Sequence, residues 1–222
     1  MLVTGIDEAG RGAVIGPMVI AGVTVRKSDE KTLSAIGVKD SKKLTPRSRE
    51  RLAKEIEQIA KNIVVIKVPA CRIDSNRFNG INLDKIEAMK MAQIIQMSPK
   101  SIVYVDSLEQ KPKKFENLIR RYLPKENKYN LVVENYLDES VPVVSAASII
   151  AKVERDKEIE KIKKKVGFDF GVGYSHDKRT IEFIKNLLKK GELPSYVRKS
   201  WITVENLKGE SLQTKLRKFF KF

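Results

Sequence analysis

The chain has little of several residue types on which common classes of site depend. Its 222 residues include one cysteine, one histidine and one tryptophan. Because Cys71 is alone, an intrachain disulfide and a cysteine-based zinc site are both excluded, and we expect a buried thiol. His176 is the only imidazole that could act as a base, so the composition does not favour a nucleophile activated by histidine.

Long apolar runs are missing as well. No stretch approaches the roughly 20 apolar residues that cross a bilayer, and the N-terminus shows no basic segment followed by an apolar one. Hydrophobic residues make up 41% of the chain, which is enough for one sizeable domain with a smaller appended part. We therefore expect a soluble, cytoplasmic protein.

Acidic residues are outnumbered by basic ones. The chain has 44 Lys and Arg against 28 Asp and Glu, which gives a net charge of +16, and residues 152–222 carry 19 of the basic residues against 10 acidic ones. A surplus of this size is typical of proteins that bind a polyanion, so nucleic acid is the favoured partner. The alternative is a surface of solvated Lys/Glu-rich helices, as in proteins from hot environments.

One acidic pair stands beside a glycine-rich turn. Asp7 and Glu8 follow an apolar run at residues 2–6 and precede the turn Gly10-Arg11-Gly12. Neighbours on a strand point to opposite faces, so the two carboxylates can share a site only if the strand ends, twists or bulges there. The arrangement suits a metal ion held beside a phosphate. Solvated acids at an exposed strand end are the alternative.

Strand-like and helix-like segments alternate along the rest of the chain. Apolar runs predict strands near residues 2–6, 17–25, 63–68, 101–106 and 129–134, the first two as a hairpin. Helical signals, among them caps at Thr45 and Asn82, predict helices near residues 46–60, 83–97, 112–122 and 178–190, and a long helix after Val141. The small residues 145–148 indicate that this long helix packs closely against a sheet. The pattern is typical of an α/β fold.

Strand ends and adjoining loops supply four acids, namely Asp7, Glu8, Asp106 and Asp138, the last of them in a predicted loop. Carboxylates are the hard oxygen ligands that Mg²⁺ or Mn²⁺ prefers, and four together cannot all stay ionised without a cation. Two ions about 3.5–4 Å apart can activate a water and stabilise the leaving oxygen of a phosphodiester. The acids therefore predict a two-metal hydrolase.

Five motifs, in order, resemble the signatures of type 2 ribonuclease H (ribonuclease HII) in its archaeal form. They are Asp-Glu-Ala-Gly-Arg-Gly at 7–12, Asp-Ser-Lys-Lys-Leu at 40–44, Val-Asp-Ser at 105–107, Pro-Val-Val-Ser-Ala-Ala-Ser-Ile-Ile-Ala-Lys-Val at 142–153 and Gly-Tyr at 173–174. The resemblance implies a ribonuclease H-like catalytic domain over residues 1–166, with a mixed five-stranded sheet flanked by helices. It also implies a helical substrate-binding part at 167–208 and a tail at 209–222.

The resemblance further implies an activity. The expected enzyme cuts the RNA strand of RNA/DNA hybrids, or the phosphodiester 5′ of a ribonucleotide embedded in duplex DNA, and leaves 3′-hydroxyl and 5′-phosphate ends. The alternatives are another ribonuclease H-like nuclease, such as a junction resolvase or a nuclease specific for DNA, and a basic nucleic-acid-binding module whose acids hold a structural ion.

Site residues follow from the same resemblance. The family's metal-binding acids fall on Asp7, Glu8, Asp106 and Asp138, although Glu134 or Glu139 could be mistaken for the last. Backbone groups of Gly10, Arg11 and Gly12 would read the ribose 2′-hydroxyl, the group that distinguishes RNA from DNA. Tyr174 would pack on the neighbouring sugar. Lys42 and Lys43 would contact phosphates.

The tail and three single residues complete the predictions. Gln213, Leu216, Phe219 and Phe220 resemble the PCNA-interacting box, a short helical plug for the sliding clamp, unless the two phenylalanines pack back on the domain. We expect an otherwise monomeric protein. His176 is interpreted as a surface residue and Trp201 as a core residue, while Asp156 either approaches the metals or pairs with a neighbouring basic side chain.

Overall fold

A computed structural model describes residues 1–38, 44–126 and 128–219, with side chains described as far as residue 210. The strands of this described part are β1 (Leu2–Ala9), β2 (Met18–Arg26), β3 (Asn62–Val68), β4 (Ile102–Asp106) and β5 (Asn130–Glu134). They form one sheet in the order β3-β2-β1-β4-β5. Strand β1 runs antiparallel to β2 and parallel to β4, and β4 runs parallel to β5. The predicted mixed sheet and its opening hairpin are confirmed.

The helices in the described ranges are α1 (Glu30–Ala35), α2 (Pro46–Ile59), α3 (Ala70–Phe78), α4 (Leu83–Met97), α5 (Pro112–Arg120), α6 (Leu137–Ser140), α7 (Pro142–Val166), α8 (Lys178–Lys190) and α9 (Ile202–Phe219). The predicted caps of α2 and α4 are confirmed. Thr45 Oγ1 accepts a hydrogen bond from the backbone N–H of Ser48 at 3.2 Å, and Asn82 Oδ1 accepts one from that of Lys85 at 3.0 Å. Each cap satisfies a backbone donor that a helix start leaves without an intrahelical partner.

Helix α7 packs against β1 at the closest distance that backbones allow. Ser145, Ala146, Ala147 and Ser148 are fully buried. A Cβ built on Gly5 would overlap the backbone of Val143, so glycine is required there by this contact. The close packing predicted from the small residues of α7 is therefore confirmed.

The chain forms two compact units, and each is made of separate stretches. The first consists of Met1–Ala9, Val19–Lys67 and Asn82–Arg155, and the second of Gly10–Met18, Val68–Ile81 and Asp156–Phe222. The division at Arg155 lies within α7, whereas the sequence-based boundary after residue 166 lies at its end. The three functional parts inferred from the sequence therefore stay a prediction.

Each unit has its own apolar core. The core of the first unit includes Val23, Leu52, Ile56, Ala147 and Ile150. That of the second unit includes Ile15, Ile159, Phe170, Ile184 and Val204, and Trp201 packs half-buried against it, in line with the predicted core position.

The prediction of a buried thiol at Cys71 is wrong, because Cys71 is exposed. It lies on α3, a helix that the sequence analysis did not identify and that buries Ala70 and Ile73 instead. No helix in the described ranges is both long and apolar enough to cross a membrane.

Candidate functional site

Two of the predicted acids meet on the neighbouring parallel strands β1 and β4. The β1/β4 register pairs Gly5 with Tyr104 and Ile6 with Val105, so its continuation brings Asp7 beside Asp106. Neighbouring strands lie about 4.8 Å apart, and residues level with each other on them point to the same face. Asp7 is 5% exposed and Asp106 is 7% exposed, so their charges act on each other with little screening by water.

The sequence predicts that the strand before Asp7 ends at residue 6, and this is wrong. Strand β1 continues to Ala9 because β2 pairs with it throughout, with Asp7 opposite Ala21 and Glu8 opposite Ile20. Adjacent positions of a strand alternate between its faces, so Glu8 and Asp7 leave β1 in opposite directions. Glu8 is half-buried.

The electrostatic environment of Asp7 disfavours its charged form. Burial, reinforced by the nearby charge of Asp106, raises the pKa of Asp7 from 3.8 to about 7. The hydroxyl of Ser148, the backbone N–H of Glu8 and the ammonium of Lys152 act in the opposite direction and partly offset the rise. A carboxyl that titrates near neutral pH in a buried position is a candidate functional group.

Helix α7 brings both the serine and the lysine to Asp7. Ser145, Ser148 and Lys152 follow one another at helical spacing along one face of the helix. Among the described residues, the buried Ser148 Oγ has no hydrogen-bond partner of standard geometry, although it is near enough to Asp7 to favour the ionised carboxylate. Sequence reasoning missed both roles, because a serine and a lysine in a helix carry no local signal of a distant carboxylate.

Asp138 lies in the short helix α6, so its predicted loop position is wrong. The backbone N–H of Leu137 donates to Asp106 Oδ1 at 2.8 Å, and the carbonyl of Asp138 accepts from Ser145 Oγ at 2.5 Å. Tyr136, just before the helix, has a φ of 62°. These contacts fix the backbone on both sides of Asp138, and the β4 acid itself supports the start of α6.

Burial separates Asp138 from the two glutamates that could be mistaken for it. Asp138 is 5% exposed, whereas Glu134 and Glu139 are both exposed. A side chain that binds a metal ion in a dehydrated site has to be shielded from bulk water. Of these three acids, Asp138 is the one that is buried.

The residues present fit divalent metal ions by their chemistry. Within the described ranges, no three His, Cys, Asp or Glu side chains already stand in a ready ligand arrangement. The donors are nevertheless hard carboxylate oxygens, and the raised pKa of Asp7 measures a cost of ionisation that a nearby cation would offset. The hydroxyl of Ser148 adds one more polar atom at the same place.

The glycine turn that follows β1 in the chain belongs to the second unit. Gly10 has a φ of 81°, and its carbonyl accepts from the N–H of Ala13 at 3.3 Å. The N–H groups of Val14 and Ile15 both donate to the carbonyl of Gly173, at 2.8 and 3.0 Å. The structure thus joins the residues that follow the Gly10–Gly12 turn to the segment that carries Tyr174, although the two segments lie far apart in the sequence.

Tyr174 stacks on the only histidine of the chain. The ring centroids of Tyr174 and His176 are 5.4 Å apart, with 23° between the planes. His176 is exposed, as the sequence analysis predicts, and Tyr174 is half-buried. The stacked pair is therefore accessible to a ligand on one side.

Several predicted site residues lie where the structure describes neither backbone nor side chain, or the backbone alone. Lys42 and Lys43 lie outside the described residues, as does Phe220. Gln213, Leu216 and Phe219 lie in α9, where the described part is limited to the backbone. Their roles stay predictions.

One protein family matches this chain over most of its length. Residues 4–204 match the family model described as Ribonuclease HII. The chain is 45% identical over 211 residues to ribonuclease HII of Methanothermobacter thermautotrophicus, which covers 94% of this chain and all of that protein. Ribonuclease HII of Methanosphaera stadtmanae is 42% identical over 92% of this chain and 94% of its own length.

Solved structures agree with the sequence relatives. The crystal structure of ribonuclease H2 from Pyrococcus horikoshii superposes with a TM-score of 0.86 at 39% identity, over 96% of this chain and all of the other. The chain is also similar to a protein in the PCNA:RNase HII complex from Archaeoglobus fulgidus, with a TM-score of 0.81 and 43% identity over 90% of this chain and 95% of that one.

Proposed function

The chain belongs to the ribonuclease HII family of metal-dependent endonucleases, and we propose that it hydrolyses ribonucleotide-containing duplexes in the cytoplasm. Its substrates are the RNA strand of RNA/DNA hybrids and the phosphodiester 5′ of a ribonucleotide embedded in duplex DNA. The products carry 3′-hydroxyl and 5′-phosphate ends. The observation that carries the proposal is the buried pair of Asp7 and Asp106, because two neighbouring buried carboxylates are more stable as anions when a cation lies between them.

Asp7, Glu8, Asp106 and Asp138 would hold the metal ions, for which Mg²⁺ or Mn²⁺ fits the all-oxygen donor set. Glu8 leaves β1 on the face opposite Asp7 but lies beyond the last residue of β4, so its longer side chain would reach the ions past the end of that strand. When bound, a pair of such ions supplies Lewis acidity at the scissile phosphate and an activated water for in-line attack. The protein's own contribution is to keep the carboxylates ionised and in place. Lys152 and Ser148 favour the ionised form of Asp7, and the α6 backbone holds one oxygen of Asp106.

Substrate selection requires contacts to both the backbone and the ribose. The net charge of +16 favours binding of a duplex irrespective of its sequence. Within that binding, the Gly10–Gly12 turn reads the 2′-hydroxyl, Tyr174 packs on the neighbouring sugar, and Lys42 and Lys43 contact phosphates. The carbonyl of Gly173 accepts hydrogen bonds from the N–H groups of Val14 and Ile15. These bonds support the proposal because they link the residues after the turn to the residue before Tyr174.

One assay tests the proposal against its alternatives. A duplex with a single internal ribonucleotide and an all-DNA copy of it are incubated with and without Mg²⁺ or Mn²⁺. We expect one cut, 5′ of the ribose, which requires metal and which Asp106→Asn abolishes. Equal cutting of both duplexes would favour a nuclease without ribose selectivity, and retention of both duplexes without cutting would favour a binding module.

We also propose that the chain binds the sliding clamp. The similar Archaeoglobus fulgidus protein forms a complex with PCNA, and residues 213–220 of this chain match the clamp-binding pattern. Gln213, Leu216, Phe219 and Phe220 would provide the anchors, with the enzyme otherwise monomeric. Binding to the clamp would raise the local concentration of the enzyme at newly replicated DNA.

A further inference from the structure

Arg198 is fully buried, and its guanidinium donates hydrogen bonds to three backbone carbonyls. Its Nη2 donates to the carbonyl of Gly10 at 2.6 Å, its Nη1 to that of Arg11 at 2.7 Å, and its Nε to that of Gly16 at 3.1 Å. The first two carbonyls belong to the Gly10–Gly12 turn. A single planar group therefore binds two successive peptide units of the turn from within the second unit.

Further contacts hold the arginine itself in place. Its guanidinium carbon lies 4.7 Å from the ring centroid of Trp201, and its backbone N–H donates to the carbonyl of Val14 at 2.9 Å. The two residues after Arg198 are bound by Asp74. Its carboxylate accepts from the N–H of Lys199 at 2.8 Å and from the N–H of Ser200 at 3.0 Å. A side chain fixed in this way can set the conformation of what it binds, since its own rotamer has no freedom to follow.

The contacts fix the direction in which the donors of the turn point. The described peptide bonds are all trans, and in a trans unit the C=O and the following N–H point in opposite directions. Because the carbonyls of Gly10 and Arg11 point at the guanidinium, the N–H groups of Arg11 and Gly12 point away from it. Gly12 is exposed, with open space where a Cβ would stand, so a ligand can approach this side of the turn closely.

We propose that Arg198 is a positioning residue for ribose recognition: by binding the carbonyls of Gly10 and Arg11, it presents the two following N–H groups to the 2′-hydroxyl of the substrate. The inference rests on the proposed function, because it assigns to the turn the role of reading that hydroxyl. Arginine is required, since a lysine ammonium is a point donor that cannot bind three carbonyls in the plane of one group. Arg198 does not touch the substrate.

The test separates orientation of the turn from general stability. Affinities for the single-ribonucleotide duplex and its all-DNA copy are measured in Ca²⁺, to prevent turnover, and expressed as a ratio. We expect Arg198→Lys to lower the ratio by about tenfold, with less than about a twofold change for all-DNA, because hydrogen bonds to the hydroxyl become misaligned. Arg120→Lys is the matched control. It makes the same substitution in an arginine that donates to Glu116 and does not contact the turn, so it should keep the ratio.

Each outcome has one meaning. A folded Arg198→Lys protein with the wild-type ratio overturns the inference, and so does an equal loss in Arg120→Lys. If Arg198→Lys does not fold, Trp201→Leu replaces it, because it removes the ring that packs on the guanidinium and leaves the donors. Its ratio should fall by about threefold, and an unchanged ratio would overturn the inference. A wild-type protein that neither prefers nor cuts the ribonucleotide duplex would instead overturn the proposed function.

Discussion

Asp7 lies beside Asp106, the last residue of the parallel strand β4, and the charge of Asp106 helps to raise the pKa of Asp7 to about 7. Removal of that charge should therefore lower the pKa of Asp7. We expect Asp106→Asn to do so, and NMR titration of the Asp7 carboxyl carbon in metal-free protein measures the shift. Lys152→Met should have the opposite effect, since the ammonium lowers this pKa in the wild type. Shifts of the same sign in both variants would contradict the electrostatic account.

The same pKa predicts how stability without metal depends on pH. The folded state holds the Asp7 proton up to about pH 7, whereas the unfolded chain releases it near 3.8, so this group's contribution to stability falls as the pH rises between these values. Asp7→Asn removes this pH-dependent loss of stability. In EDTA at pH 8 the variant should be more stable than the wild type by a few kcal/mol at most, since one pKa unit corresponds to about 1.4 kcal/mol. The difference in stability should shrink at pH 4–5.

Thermal unfolding at both pH values checks this expectation. Glu139→Gln is the control, because it makes the same change of charge at an exposed position beside the site. A stability difference for Asp7→Asn that is equal at pH 4–5 and pH 8 would refute the prediction. Added Mg²⁺ should stabilise the wild type at pH 8 more than Asp7→Asn, since a cation offsets the same cost of ionisation.

The contact between Gly5 and α7 predicts a large loss of stability for a small substitution. In Gly5→Ala the new methyl group would overlap the backbone of Val143, which cannot move without shifting α7 from the sheet. We expect a loss of about 3 kcal/mol or more in the free energy of unfolding, at the upper end of overpacking effects. Gly209→Ala in α9 has open space and should be neutral or stabilising by up to about 1 kcal/mol. Similar denaturation midpoints for the two variants would argue against the close packing.

The stacking of His176 on Tyr174 predicts a binding effect without a catalytic one. His176→Ala removes the ring that supports the tyrosine, so KM for the single-ribonucleotide duplex should rise about two- to fivefold while kcat stays nearly constant. His176→Phe keeps a stacking ring and should restore KM. Steady-state kinetics distinguishes the two roles, since a fall in kcat with unchanged KM would place the histidine in the chemical step.

The tail predicts a separable interaction. A protein without residues 213–222 should lose binding to the sliding clamp, because the anchors are removed, and should cleave short duplexes at the wild-type rate. Calorimetric titration of the clamp measures the first effect and a cleavage assay the second. Arg217→Ala changes the charge of the tail without removing an anchor and should still bind. Clamp binding by the truncated protein would exclude this role.

Short stretches of the sequence are enough to predict some elements of this protein. Thr45 and Asn82 mark the starts of α2 and α4 because a cap bonds to a backbone N–H three residues on. The small residues 145–148 revealed a close helix-to-sheet contact without naming its partner. Other elements were missed. Helices α1, α3, α6 and α9 were not identified. The error at Cys71 followed from the missing α3, since few residues in such a short helix carry a periodic signal.

The sequence by itself determined the α/β pattern, the basic charge and the acids that follow its apolar runs, because hydrophobic period, capping and composition are local properties of the chain. Only the tertiary structure decided which groups meet. Asp7 reaches Asp106 through a parallel strand pairing, and Arg198 reaches Gly10 across 188 positions of the chain. Such contacts depend on how distant segments pack, and an arginine followed by Lys-Ser-Trp reads in the sequence like any other surface charge. Its burial against three carbonyls is a property of the fold.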